Sequence, residues 1–107
     1  MSPKTKKRKR TTKRDIKTKL KKRISEEKYF VLKNGIKARN VKQLADYLGY
    51  LNEDEFLHHC NAERNDFANW VETVFGDHLL AKKLRNVNNK TETVITIYEH
   101  VANNFWQ

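Results

Sequence analysis

The chain of 107 residues is 34% charged and 37% hydrophobic, with one cysteine, one proline and three glycines. This composition excludes collagen-like and proline-rich chains, and the lone Cys60 leaves no internal disulfide, which fits a reducing compartment. No apolar run approaches the roughly 18 residues of a membrane-spanning helix, and the basic N-terminus leads into no secretory signal. We therefore expect a small cytoplasmic protein without integral membrane association.

The positive charge is concentrated at one end of the chain. Residues 1–23 contain 13 lysines and arginines and one acidic residue, Asp15, whereas residues 24–107 contain 10 basic and 12 acidic residues. The formal net charge of +10 thus divides into +12 and −2. The sequence predicts a basic N-terminal arm, residues 1–23, attached to a nearly neutral domain, residues 24–107.

The arm has two parts that differ in apolar content. Through Arg14 it contains no leucine, isoleucine, valine or aromatic residue, so it cannot bury enough apolar surface to offset its conformational entropy and is predicted to be disordered alone. Further on, Ile16, Leu20 and Ile24 recur every four residues, which predicts a helix that Asp15 could cap. Because the surrounding lysines repel one another, this helix is expected to become more stable when its charges are neutralised.

Nucleic acid is the partner that the arm favours. Its basic residues exceed what solubility needs, and without aromatic rings it has no platform for stacking unpaired bases. It also lacks Asn and Gln, which commonly read adenine, so we expect phosphate contacts with little sequence discrimination, to either DNA or RNA. The predicted contacts are Lys4, Lys6, Lys7, Arg8, Lys9, Arg10, Lys13, Arg14, Lys17, Lys19, Lys21, Lys22 and Arg23 in the arm, with Lys82, Lys83 and Arg85 in the domain.

Three other roles for the arm stay open. The run Lys6-Lys7-Arg8-Lys9-Arg10 fits a nuclear import signal if the source is eukaryotic. Attraction to anionic lipid, at about 1 kcal/mol per basic residue, is a further alternative, although the arm offers few apolar residues to insert. A solvated tail that only aids solubility is the simplest alternative.

The domain opens with a turn signal. Residues 29–35 form a β-prone run that is closed by Asn34-Gly35, and residues 36–39 return either as a second strand or as a loop. We therefore predict a short hairpin or extended segment at the start of the domain.

Five helices are predicted after this segment, because capping residues precede apolar positions at helical spacing. Gly49 and Gly76 are expected to stop two of them. The predicted caps are Asn40 with Gln43, Asn52 with Glu55, Asn65 or Asp66, Asp77, and Asn89 with Glu92.

The last predicted helix contains a segment whose composition also suits a β-strand. Residues 94–98 are rich in β-branched side chains, but the apolar positions continue beyond them at helical spacing, which favours a helix. Its expected apolar stripe is Val94, Ile97, Tyr98, Val101 and Phe105. The predicted fold is mainly α: a compact cluster of about five short helices, a short extended or hairpin segment at the start, and the basic arm.

A motif in the middle of the chain reads F-x-x-H-x-N, then N-D-F-x-x-W, then an aspartate and Leu-Ala. It is carried by Phe56, His59, Asn61, Asn65, Asp66, Phe67, Trp70, Asp77, Leu80 and Ala81. Over about residues 29–87 the pattern resembles a mainly archaeal family of small helical domains of unknown function. The resemblance implies a helical fold and a prokaryotic source, it transfers no catalytic role, and it does not extend to the arm.

The side chains that could carry catalysis or bind metal have simpler explanations. His58, His59 and Cys60 are consecutive and point about 100° apart on a helix, so they cannot close on one ion, and no metal or cofactor is predicted. His59 and Asp66 could form an acid/base pair, but Asp66 stands where a helix begins and is expected to be its N-cap. Trp70 is expected in the core. The sequence has no nucleotide-binding or hydrolase motif, so no enzyme activity is expected.

Two further features bear on partners. Lys82, Lys83 and Arg85 lie near a predicted helix C-terminus, where they either interact with the helix dipole or add phosphate contacts to those of the arm. Phe105 and Trp106 either pack on the domain or anchor a protein partner. The leading prediction is a non-enzymatic protein that binds nucleic-acid backbone, and the alternative is a helical protein–protein interaction module to which the arm is accessory.

Overall fold

A computed structural model describes residues 24–105 as a mainly helical fold, in agreement with the predicted fold class. A short 3-10 helix, Glu26–Lys28, leads into a two-stranded antiparallel hairpin, and five α-helices follow. The arm, the helix predicted from Asp15 and the packing of Trp106 lie outside the described residues. The elements are β1 (Phe30–Val31), β2 (Lys37–Ala38), α1 (Val41–Leu48), α2 (Glu53–His59), α3 (Asp66–Phe75), α4 (His78–Arg85) and α5 (Lys90–Phe105).

The Asn34-Gly35 pair makes the predicted turn. The backbone N–H of Gly35 donates to the Leu32 carbonyl over 2.8 Å, and Gly35 has a φ of 92°, which side chains with a Cβ rarely adopt. The side-chain oxygen of Asn34 accepts from the backbone N–H of Ile36 over 3.0 Å. The turn thus places Phe30 opposite Ala38, and the second strand that the sequence left open is present.

Asparagine and aspartate caps begin the five helices where the sequence predicts them. Asn52 and Glu55 form a complete capping box on α2. Asn40 accepts from the Gln43 backbone, but the Gln43 side chain accepts from the backbone of Arg39 instead of closing the predicted box on Asn40. These caps satisfy N–H groups that the first turn of a helix leaves without intrahelical partners.

The two predicted glycine stops end their helices in different ways. Gly76 adopts the left-handed conformation with a φ of 67° at the end of α3, as helix-terminating glycines often do. Gly49 follows α1 but keeps a right-handed φ of −62°. Of these two helix ends, only the one after α3 needs glycine for its backbone conformation.

The helices enclose one apolar core. Helix α3 packs on α4, α1 packs on α5, and α4 also contacts α5. Side chains from all five helices are fully buried in it, and burial of each large one contributes about 1.5–3 kcal/mol relative to leaving it exposed. Phe56, Phe67, Leu44, Leu80 and Ile97 are among them. Within residues 24–105, no helix combines the length and apolarity that crossing a membrane would need.

The structure confirms that residues 94–98 belong to a helix, α5, but not every predicted apolar position of this helix is buried. Ile97 and Val101 are buried, whereas Tyr98 is 39% exposed at the edge of the core. Its hydroxyl donates to Asp46 on α1, and this hydrogen bond is the main reason why the pKa of Tyr98 rises to about 12. Tyr98 therefore joins two helices at the surface because its hydroxyl needs a polar partner.

Candidate functional site

The basic residues predicted in the domain lie in the second half of α4, and one of them is held by an acidic neighbour. Arg85 donates from Nη2 to Glu72 Oε1 and to Asn69 Oδ1, both over 2.9 Å. Glu72 also contacts His78 Nδ1 at 2.9 Å, and the hydrogen bonds from His78 and Arg85 lower the pKa of the Glu72 carboxyl. The charge of Arg85 is therefore balanced within the fold.

Lys83 is held by a buried polar chain that the sequence analysis missed. Its Nζ lies 3.3 Å from His100 Nδ1, and His100 Nε2 lies 3.0 Å from Asp77 Oδ2. An ammonium group only donates, so Nδ1 accepts and Nε2 carries the proton that is donated to Asp77. Asp77 also caps α4 through the Leu80 backbone N–H. Of the three α4 residues, only Lys82 has no hydrogen bond or ion pair within residues 24–105.

The prediction that Asp66 caps α3 is wrong. Asn65 is the cap, and its side-chain oxygen accepts from the backbone N–H of Ala68 over 3.0 Å. Asp66 is the first residue of the helix, and its carboxylate instead lies 3.0 Å from His59 Nδ1 and 3.2 Å from Arg64 Nε. Asparagine and aspartate are both good caps, so the local sequence could not say which of the two neighbours would take the position.

The His59–Asp66 pair exists, but the imidazole is closed off from solvent. The His59 side chain is 7% exposed, and the rings of Phe30 and Phe67 lie 5.0 and 5.5 Å from it. A carboxylate accepts only, so Nδ1 carries the proton, and the buried Nε2 has no partner within residues 24–105. Burial lowers the pKa of His59 despite the opposing carboxylate. His59 is thus a neutral, buried side chain that supports the aromatic cluster.

The other motif residues mostly cap and connect elements. Asn61 donates to the Leu57 carbonyl, Asn65 donates to the Leu84 carbonyl, and Trp70 Nε1 donates to the Lys28 carbonyl over 2.8 Å. Trp70 is 8% exposed, which confirms its predicted place in the core. The motif therefore describes how α2, α3 and α4 are joined to each other and to the segment before the hairpin.

A polar cleft of about 420 Å³ lies beside the loop between α2 and α3. Arg64 and Arg85 reach it, but Arg64 is paired with Asp66, and Arg85 is paired with Glu72. The lining residues are Cys60, Asn61, Ala62, Glu63, Arg64, Asn65, Asn69, Arg85, Val87 and Asn88. Because both arginines are already paired with carboxylates, this cleft is a weak candidate for binding an anionic ligand.

A metal site finds no support in the described part of the chain. No three His, Cys, Asp or Glu side chains between residues 24 and 105 are grouped closely enough to hold an ion. Cys60 is buried, and burial raises the pKa of its thiol, which keeps it protonated and unreactive.

A second group of basic residues, which the sequence analysis did not single out, lies on the outer side of the hairpin. Phe30, Leu32 and Ala38 point into the core, while Lys33, Lys37 and Arg39 are exposed. We call these three exposed residues the basic hairpin face. The signal was available in the sequence, because no aspartate or glutamate occurs between residues 28 and 45.

Comparison with models of known protein families found no match, and comparisons with curated proteins and with solved structures found none either. The resemblance of the residue 56–81 motif to an archaeal family stays a prediction. Information about the function therefore comes from the sequence and structure of this protein.

Proposed function

We propose that this protein binds nucleic acid without catalysing a reaction, through contacts between its basic arm and backbone phosphates. The observation that carries the proposal is the separation of charge, with 13 basic residues against one acidic residue in the arm and a net charge of −2 in the rest of the chain. A charge density of this kind attracts phosphate polyanions far more strongly than small anions.

The chemistry of the arm favours binding that tolerates many sequences. Residues 1–23 contain no Phe, Tyr, Trp, Asn or Gln, so they offer neither base stacking nor the usual amide contacts to adenine edges. Phosphate contacts fix position but carry little sequence information. Ile24, the first residue after the arm, packs against the apolar core, so the arm is joined directly to the folded domain.

The environment of His59 and Asp66, the two residues best suited to acid/base catalysis, also favours a binding role over catalysis. The imidazole of His59 is buried among aromatic rings, and Asp66 is shared between His59 and Arg64. A general base must reach a proton on its substrate, directly or through one water, and this pair presents no such position. We place the protein in the cytoplasm, on the nucleoid or on ribosomes.

The test uses the full chain and neutralises part of the arm. In the arm-neutral variant, Lys4, Lys6, Lys7, Arg8, Lys9 and Arg10 are all changed to Gln, and binding to a 20-bp DNA duplex and to structured RNA is followed by mobility shift over a salt series. Each lost phosphate contact flattens the plot of log affinity against log salt by about 0.9, so six lost contacts weaken binding on the order of 10⁴-fold at 0.15 M salt.

The matched control changes Lys4, Lys6, Lys7 and Lys9 to Arg, which keeps every charge. Because phosphate binding depends on charge more than on side-chain shape, this control is expected to bind like the wild type within a fewfold. Wild-type binding by the arm-neutral variant would contradict the proposal.

A second candidate function is a protein–protein interaction module. Tyr50 is 72% exposed and lies near Tyr98, while Ile95 is 48% exposed one turn before Tyr98 on α5. Exposed aromatic residues of this kind are enriched at protein interfaces. This candidate predicts partners that remain bound after nuclease treatment, that are retained by the arm-neutral variant and that are lost when Tyr50 is changed to Ser.

A further inference from the structure

Within residues 24–105, no acidic side chain pairs with the charges of the basic hairpin face. Lys33 and Lys37 make no hydrogen bond or ion pair through their side chains within residues 24–105. The guanidinium of Arg39 lies 6.0 Å from the centre of the Tyr29 ring, a contact that orients the group and leaves its charge in place. Three positively charged side chains are therefore exposed on a single hairpin.

This face is also held rigidly. The ring of Phe30, on the inner side of the hairpin, lies 5.3 Å from Phe67 and 5.6 Å from Trp70. Trp70 in turn donates to the carbonyl of Lys28, immediately before the hairpin. Ordering the backbone before a ligand arrives reduces the entropy that binding must overcome.

The arm and the face are close together along the chain. Between Ile24, which packs on the core, and β1 there are only five residues, which include the exposed Glu26, Glu27 and Lys28. A polyanion that is bound by the arm is thus tethered within a few residues of the hairpin. A surface next to a tethered ligand experiences a high effective concentration of it.

We propose that the basic hairpin face is a second contact site, for the backbone phosphates of double-stranded nucleic acid, formed by Lys33, Lys37 and Arg39 and acting together with the arm. This inference rests on the proposed function, because the arm supplies the first contact. It adds that the folded domain binds the ligand itself and that the ligand is a duplex.

The preference for a duplex follows from where the aromatic rings lie. Tyr29 beside the face is only half exposed and has Arg39 above its ring, so it offers no open surface for a base. Within residues 24–105 the most exposed tyrosine ring, Tyr50, lies near Tyr98 and is not part of the face. A fixed group of charges without a stacking platform matches the backbone of a double helix better than unpaired bases.

The decisive variant changes Lys33, Lys37 and Arg39 to Gln in the full chain. These side chains are exposed, so the far-ultraviolet circular dichroism and thermal midpoint are expected to match those of the wild type. Affinity for a 20-bp duplex is expected to fall about 100-fold at 0.15 M salt, roughly fivefold for each lost phosphate contact, and the salt dependence to flatten accordingly. Affinity for one strand of this duplex, tested alone without its complement, is expected to fall less than tenfold.

A matched pair of single variants controls for the loss of charge alone. Lys37→Gln removes a charge from the hairpin face, whereas Lys42→Gln removes a charge that Asp46 already balances across 2.9 Å on α1. We expect a roughly fivefold loss of duplex affinity for the first variant and an unchanged affinity for the second. In wild-type protein, duplex is expected to shield Lys33 and Lys37, but not Lys42, from acetylation detected by mass spectrometry.

The outcomes separate this inference from the function on which it rests. If the arm-neutral variant loses binding while the hairpin variant binds duplex like the wild type, the arm model stands and the hairpin site is refuted. Equal losses for duplex and unpaired strand refute the assignment to double-stranded nucleic acid. If anionic vesicles shield Lys33 and Lys37 at salt concentrations where duplex does not, the surface binds lipid and the inference is wrong.

Discussion

The domain carries two groups of three basic residues, and within residues 24–105 the fold holds more of the first group than of the second. On α4, Arg85 is paired with Glu72, and Lys83 is bound to His100. On the hairpin, Lys33 and Lys37 have no acidic partner within residues 24–105. The two groups have the same formal charge, but the charge that a ligand meets differs. The comparison teaches that a cluster of basic residues in a sequence does not reveal how much of its charge the fold leaves unpaired.

The largest expected effect tests whether the hairpin is firmly attached. Phe30→Ala removes a ring that contacts three others in the core, and a change of this kind is expected to lower the free energy of unfolding by about 3–5 kcal/mol. Val31→Ala, at the exposed neighbouring position, is expected to change it by about 0.5 kcal/mol or less. Urea denaturation measures both, and equal effects would show that the hairpin is not anchored through its inner face.

The next effect tests the buried chain that holds Lys83. Asp77→Ala removes the cap of α4, worth about 1 kcal/mol, and leaves the buried His100 Nε2–H without its carboxylate, which costs about 1–3 kcal/mol more. The same loss is not expected for Asp54→Ala, which is exposed in the first turn of α2. Thermal denaturation measures the stability of both variants. An Asp77 variant as stable as the wild type would mean that these buried hydrogen bonds do not hold Lys83 and His100.

A smaller effect concerns the pH dependence of stability. Burial lowers the pKa of His59 below its ordinary value of about 6.5, so the unfolded chain takes up a proton before the folded chain does. Stability is therefore expected to fall as pH drops below about 6.5 and to stop falling once the folded form is also protonated.

His59→Gln is expected to flatten this pH profile, whereas His58→Gln at the exposed neighbouring position is expected to leave its slope unchanged. Urea denaturation at pH 7.5, 6.5 and 5.5 measures the slope. A slope that persists in the His59 variant would assign the pH dependence to another group.

The smallest effect sharpens the comparison of the two basic groups. Glu72→Gln leaves the charge of Arg85 unbalanced on α4, and duplex affinity is expected to rise up to about fivefold at 0.15 M salt. Glu99→Gln removes the same charge from the exposed side of α5, away from Arg85, and is expected to have a weaker effect. Equal affinities for the Glu72 variant and the wild type would mean that nucleic acid does not reach α4.

The sequence predicts the parts of this fold that depend on neighbouring residues. The Asn34-Gly35 turn and the caps at Asn40, Asn52 and Asn89 each involve residues within four positions of one another, so the sequence identifies them directly. Apolar spacing likewise predicts α5, because the pattern extends over a helix of 16 residues.

The missed features depend on contacts between distant elements. His100 reaches Asp77 across 23 positions, and Arg85 reaches Glu72 across 13, so both pairs exist only because the helices pack together. The Asp66 cap was wrong for a different reason, since two equally suitable capping residues stand side by side. The hairpin face has a local signal in the alternation of basic and apolar residues around the turn, but the adjacent Lys82 and Lys83 form the more conspicuous cluster in the sequence.

The central claim is that the basic residues of the arm and of the basic hairpin face hold nucleic acid through its phosphates. The most direct test measures the affinity of the full-length wild-type protein for a 20-bp duplex from 50 to 200 mM salt. Six to ten phosphate contacts predict that affinity falls about 10³–10⁵-fold over this range. An affinity that does not change with salt, or no binding at 50 mM, would contradict the claim.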